Sequence, residues 1–436
     1  MSNGDDKTRG KRSQSPGERF IVAESPLTTA VCEDPLARSL YSAGVAFAIL
    51  RLASVSFKYA FLPGLLASDW RLLERQFTGF RFVLWMEAAV HASLVLLAAP
   101  VTRLRQRKQV CLRSYCACMA LVSLVLLLLP PYLRFAHSTS ETIAIMLSME
   151  QVRLLMKLVS FVVESERSLR REDSKEEPSW GSMLYFLFAP VLVYRHSYPR
   201  SPTRSWCKAL FWFAQYLYCL WSILVVVNHG FTDAFSFIGK REATVTDWVS
   251  MFHQSCILGI MEFLAIAFFF LDVWLNAWGE VLRFGDRRFY KNYLTSADMR
   301  EYLNRWNTVT RSWITEYLFK PTIVSSGSHA AAALVSLMMS CVIHDYIISF
   351  SFGFLSTTVL LNTVIAFFTT PLVTRVCNLF SSCLGDTSDS PTNVSMWISC
   401  SLTILFHVMV TGIRYHHAVN CPSAALALLP SLQVCL

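Results

Sequence analysis

The chain has 436 residues, of which 54% are hydrophobic and only 16% charged, and its mean hydropathy is +0.41. This excludes an ordinary soluble domain and places the chain among membrane proteins. The net charge of +9 collects in alternate loops, so it reads as membrane topology rather than as a nucleic-acid-binding surface.

Residues 1–40 are polar, mixed in charge and contain Ser and Pro, which predicts a disordered cytosolic tail without a cleavable signal peptide. Nine apolar segments then approach or exceed the roughly 20 residues that cross a bilayer. They lie at about 41–66, 80–101, 111–135, 142–163, 205–228, 249–278, 328–352, 354–376 and 394–415. Charge within some, such as Arg51 and Lys58, leaves eight or ten spans open. Three loops are basic: 102–110 holds four Lys or Arg, 164–208 holds eight and 279–327 holds eight. With nine spans these loops share a side with the N-terminus, so the positive-inside rule makes that side cytosolic and puts the C-terminus in the lumen. The chain therefore divides into a tail (1–40), an all-α membrane domain (41–420) that includes a cytosolic segment (279–327), and a lumenal tail (421–436). Cys421 and Cys435 bracket that last tail. An oxidising lumen permits a disulfide between them, with two unpaired thiols as the alternative. No cysteine pair has metal-ligand spacing, and no metal site is expected.

Three stretches stand out along the chain. EQVRLLMK at 150–157 puts Glu150, Arg153 and Lys157 on one helix face, either paired on an inner surface or marking the charged end of a span. ESERSLRREDSKEEPS at 164–179 reads as a solvated linker, and the short MLYFLFAPVLVYRHSYPRSP after it as a re-entrant or interfacial element buried against protein. DMREYLNRWNTVTRSWITEYLF, with Asp298 as N-cap, repeats Met299, Tyr302, Trp306, Trp313 and Tyr317 at helical spacing. That pattern predicts one amphipathic helix with an aromatic face, lying at the membrane surface or docked on the bundle.

The strongest chemical signal is SCVIHDYIIS at 340–349, where His344 and Asp345 stand in an otherwise apolar span. Ser336, Ser340 and His344 share one stripe, while Asp345 is about 100° away and need not face the same cavity. An ionisable group at membrane depth is costly unless it faces water or a partner, which makes it a functional candidate. A neutral histidine hydrogen-bonded between packed helices is the structural alternative. A neutral imidazole can take a proton from an alcohol attacking a carbonyl, and Asn307 can donate to the carbonyl oxygen as it gains charge. No GxSxG elbow, Walker A loop, HExxH or Rossmann fingerprint occurs.

Several of these segments, in this order, resemble the sterol O-acyltransferase branch of the membrane-bound O-acyltransferase (MBOAT) family: EQVRLLMK, YFLFAPVLVYRHSYPRSP (185–202), LNAWGEVLRFGDRRFY (275–290), Trp306–Asn307 and HDY at 344–346. The resemblance runs from about residue 150 to 350 and implies a bundle of about nine transmembrane helices around an intramembrane reaction chamber. It implies a homodimer or homotetramer in the endoplasmic reticulum membrane, in contact with membrane lipids. The implied reaction moves a long-chain fatty acyl group from acyl-CoA to a sterol 3-hydroxyl, making steryl esters for lipid droplets, with no cofactor beyond the co-substrate. His344 would be the base and Asn307 its partner at the thioester or acceptor hydroxyl. Trp306, Ser340, Phe289, Tyr290, Asn292 and Tyr293 would contact substrate.

FYKNYLT (289–295) stands in the place of the family's FYxDWWN acyl-CoA motif and keeps only Phe289 and Tyr290. Asp272, Arg311 and Val159 replace family histidines, which points to a divergent enzyme. Two rivals stay open. A diacylglycerol acyltransferase would make triacylglycerol, and a lipid transporter or scaffold would have kept the bundle without the chemistry.

Overall fold

The computed structural model describes residues 24–137, 139–171, 179–226, 232–384 and 390–421. Among them the chain is helical, with a single isolated bridge between Arg200 and Phe284 in place of any sheet. Seven helices are long and apolar enough to cross a membrane: Pro35–Phe61, Asp69–Gln106, Leu112–Tyr132, Val245–Val281, His329–Phe352, Thr358–Phe380 and Asn393–Asn420. The other two expected spans also form helices, Glu141–Arg171 and Trp206–Val226. At 31 and 21 residues they extend about 46 and 31 Å at 1.5 Å per residue.

Two boundaries differ from the expectation. Helix begins at Pro26 and again at Pro35, within the first forty residues, because Ser25 and Asp34 each cap a turn whose first residue is proline. The charged stretch after residue 163 is not linker throughout, since helix continues to Arg171. There Glu164 pairs with Arg167, and Glu166 with Arg105 at 2.7 Å.

The Glu141–Arg171 helix is the hub, packed against the Leu112–Ala136, Phe80–Ser93 and His329–Phe352 helices. Leu154, Leu158 and Phe161 fill its core with Leu94, Tyr115, Met183, Phe186 and Tyr194. The short apolar piece at 183–202 packs against protein as expected, with Met183, Phe186, Leu187 and Tyr194 buried: it completes a helix Trp180–Phe188 and continues as irregular chain without helix. That chain meets the 283–288 loop, with Ser201 N–H on Arg283 O at 2.8 Å and Gly285 N–H on Pro199 O at 2.9 Å. By contrast, the membrane-length windows of Pro35–Phe61 and Thr358–Phe380 bury nothing inside the molecule. Side chains such as Phe47, Phe367 and Phe368 stand outward, the arrangement a lipid solvent favours.

A buried glutamine repairs a proline pair. Pro130 and Pro131 lie inside the Leu112–Ala136 helix and cannot donate to the carbonyls of Leu126 and Leu127. Gln151 Nε2 donates to both oxygens at 2.8 Å, and its Oε1 accepts from Tyr346 Oη at 2.6 Å. One side chain thus closes a gap in one helix and ties it to the helix that carries His344.

Candidate functional site

His344 projects outward from its helix and is exposed. Its Nδ1 lies 2.7 Å from the Ser340 carbonyl oxygen one turn earlier, with Ser340 Oγ at 3.5 Å. A carbonyl oxygen only accepts, so the proton sits on Nδ1. Nε2 is therefore left with a free lone pair pointing away from the helix, the form a general base needs.

Asp345 turns the other way. It is 7% exposed, and its carboxylate accepts from the backbone N–H of Val359 at 2.9 Å and of Leu360 at 3.0 Å, and from Ser356 Oγ at 2.8 Å. Those amides open the Thr358–Leu384 helix. The adjacent ionisable pair therefore splits into an outward imidazole and an inward anchor, as a 100° step requires.

Asn307 does not lie within one continuous amphipathic helix. The helix breaks at Trp306–Asn307 into Met299–Arg305 and Thr308–Ile314. Asn307 has non-helical backbone there, and its Oδ1 caps the second piece by accepting from Thr310 N–H at 3.0 Å. A side chain that can take the backbone's place as acceptor ends one helix and starts another. With Oδ1 committed, the amide nitrogen is the end left to act, and it has no hydrogen-bond partner among the described residues. Asp298 is the N-cap expected of it, accepting from Glu301 N–H at 2.7 Å.

The second piece continues through Lys320–Ser326 to Gly327, whose φ of +67° turns the chain into the His329–Phe352 helix. Both arms of this hairpin pack together. Asn307 lies 20 residues before Gly327 and His344 lies 17 after it. At 1.5 Å per residue that is about 30 and 26 Å, so the hairpin sets the two at nearly the same depth. No hydrogen bond joins them among the described residues.

The remaining sequence candidates gather on the Asn307 arm. Thr308 N–H donates to Phe289 O at 2.9 Å and Lys291 N–H to Arg305 O at 2.8 Å, so the 289–293 segment runs alongside the break. Phe289 is buried, and Tyr290, Tyr293, Tyr302 and Trp306 form a chain of ring contacts with centroids about 6 Å apart. Tyr290 Oη donates to Asp272 Oδ1 at 2.8 Å. Burial, then the neighbouring Asp272 carboxylate, pushes that phenol far above its usual range, so it stays a donor. Asn292 is exposed, and its backbone carbonyl accepts from Arg305. Below it opens a cleft of about 550 Å³ with Lys291, Arg300, Arg305 and Arg311 on its walls. Arg305 pairs with Glu301, and with Asp298 also on the wall the four cations leave the cleft net positive, a charge that favours an anion. Arg311, which by the resemblance stands where a histidine was expected, is one of the four.

Glu150, Arg153 and Lys157 are partnered inside the molecule and do not mark a charged end. Arg153 binds Glu150 and the Leu187 carbonyl, and Glu150 meets His91 Nε2 at 3.2 Å. Glu87, His91 and Glu150 come close enough to hold a cation between them. Arg153 already supplies that charge, 3.4 Å from His91 Nε2, and the group reads as an ion-pair network. Lys157 is 1% exposed and donates to Phe186, Leu187 and Ala189 carbonyls, the loose end of the Trp180–Phe188 helix. Residue-by-residue reading missed the roles of Gln151, Lys157 and Ser356. Pro130–Pro131 within a span was the available signal for the first, since such a pair demands a surrogate donor. Cys421 is disulfide-bonded, and its expected partner Cys435 lies outside the described residues.

Residues 45–379 match the model of MBOAT, the membrane-bound O-acyltransferase family. The chain is 34% identical over 244 residues to a protein of Homo sapiens named sterol O-acyltransferase 2, covering 55% of this chain and 47% of that one. It is 29% identical over 438 aligned positions to sterol O-acyltransferase 2 of Rattus norvegicus (97% and 81%). It is 29% identical over 357 residues to sterol O-acyltransferase 1 of Mus musculus (78% and 66%). The matched stretch thus spans about half the length of the human relative.

Proposed function

The chain belongs to the membrane-bound O-acyltransferase family, and on that premise we propose that it transfers a long-chain fatty acyl group from acyl-CoA to the 3-hydroxyl of a sterol. The single observation that carries this reading is the commitment of His344 Nδ1 to a backbone carbonyl, which frees Nε2 as a base at membrane depth. Nε2 takes the hydroxyl proton as the sterol oxygen attacks the thioester carbon. The C–S bond breaks, and the imidazolium returns its proton to the departing coenzyme A thiolate. Asn307 Nδ2 donates to the thioester oxygen as it gains charge. Atoms and protons balance without a metal, a further cofactor or an acyl-enzyme.

Acyl-CoA enters from the cytosol with its phosphates at Lys291, Arg300, Arg305 and Arg311, and the sterol enters laterally from the bilayer. The protein is a multi-pass membrane protein, and this reading places it in the endoplasmic reticulum as a homodimer or homotetramer. Its N-terminus is cytosolic, and Cys421 lies in the oxidising lumen, where a disulfide is stable. The test gives purified protein labelled oleoyl-CoA with cholesterol and diacylglycerol in parallel. Labelled steryl ester is expected. Triacylglycerol alone would reassign the acceptor, and no ester from either would remove the enzyme reading in favour of a lipid-handling scaffold.

A further inference from the structure

The helix that carries His344 runs on past it for two turns, to Phe352, before Gly353 at φ +74° reverses the chain. The return loop folds back along the helix instead of leaving it. Ser349 Oγ accepts from Ser356 N–H at 2.7 Å, and Arg414 of the last helix donates to Leu355 O and lies 5.0 Å over the Phe354 ring. The loop thereby delivers the amino end of a 27-residue helix to the Asp345 carboxylate, well inside the span. Helix amino ends carry unpaired N–H groups and partial positive charge. At membrane depth those groups have no water to turn to, so a charged acceptor there is held firmly.

Resting on the acyltransferase reading above, we propose that Asp345 is a positioning residue: by gripping the Val359 and Leu360 amides and Ser356 Oγ, it fixes the roll and height of the helix from which His344 reaches the substrates. Contacts to two successive amides oppose both rotation and sliding, which one contact would not. The consequence follows from helix geometry. Asp345 lies 100° round from His344, so any roll that loosens the grip sweeps the imidazole through the same angle. With Nε2 roughly 6 Å from the helix axis, a roll of about 20° moves it about 2 Å, and a misplacement of about 1 Å can cost about 100-fold in rate.

The test compares wild type with Asp345→Ala, Asp345→Asn and Ser356→Ala, scoring kcat per folded molecule, KM for acyl-CoA, and the rate at which diethylpyrocarbonate modifies His344 by mass spectrometry. Asp345→Ala should lower kcat at least 50-fold with KM within about twofold, because the basic cleft is untouched. Asp345→Asn keeps one acceptor for the Val359 amide and should recover to within about fivefold of wild type; Ser356→Ala should lose about threefold. The His344 modification rate should change at least threefold in Asp345→Ala, a readout that needs no turnover. A merely structural aspartate would lower the melting temperature and leave both kcat per folded molecule and the modification rate unchanged, which overturns the proposal. If Asp345→Ala does not fold, unchanged kcat and modification rate in the other two variants overturn it equally. Wild type that makes no ester would sink the acyltransferase reading alone, since the modification rate still tests the grip.

Discussion

Gln151 offers the most direct check on how this bundle is held together. Replacing it with methionine preserves length and volume but removes two donors and one acceptor. The Leu126 and Leu127 carbonyls then face Pro130 and Pro131, which have no N–H to give, and Tyr346 Oη loses its acceptor. Each orphaned buried carbonyl costs about 1–3 kcal/mol. Two of them give about 2–6 kcal/mol, reduced by the desolvation that methionine avoids, so a net loss of about 3 kcal/mol is expected. Restoring the amides by Pro130→Ala with Pro131→Ala hands both carbonyls back to their own helix. In that background the same Gln151→Met change should cost only about 1 kcal/mol, the Tyr346 share. The coupling of about 2 kcal/mol is read from a double-mutant cycle of unfolding in mixed micelles, followed by circular dichroism. Additive effects, within about 0.5 kcal/mol, would refute the claim that Gln151 substitutes for the missing proline amides.

Three further outcomes follow from the geometry. His344→Asn can keep the bond to the Ser340 carbonyl yet has no atom at Nε2, so acyl transfer should fall by about 10²–10⁴ with the fold intact, as measured by labelled oleoyl-CoA turnover. Retained activity would end the base assignment. Lys157→Met leaves the Phe186 carbonyl without its donor, while Leu187 O keeps Arg153 and Ala189 O keeps the Val191 N–H, and should destabilise by about 1–3 kcal/mol, seen as a lower thermal midpoint; an unchanged midpoint would show that water reaches the carbonyl. Gly412→Ala puts a methyl 2.6 Å from Cε1 of the buried Phe235 ring and should cost about 1–3 kcal/mol, relieved by Phe235→Leu.

Much of this molecule is legible in its composition and periodicity. Long apolar stretches must become helices in a bilayer because no other open structure satisfies its own backbone, so membrane-length helices follow from counting, though among the described residues seven rather than nine are long and apolar enough to cross. His344 stood out for the same reason: an ionisable ring in an apolar run is costly unless it meets water or a partner. Spacing also separated it from Asp345, since neighbours on a helix point 100° apart. What Asp345 grips was not legible, because its partners are backbone amides 14 and 15 residues on, brought back by a loop whose path no local pattern encodes. The same holds for Gln151 and Lys157, which serve carbonyls of other helices: backbone groups are identical at every position, and only the folded arrangement decides which of them are left wanting. Asn307 marks the boundary between the two kinds of knowledge. Its donor and acceptor groups were readable from residue type and its cap on Thr310 is local, but the contact of Thr308 N–H with the Phe289 carbonyl beside it exists only once the chain has folded.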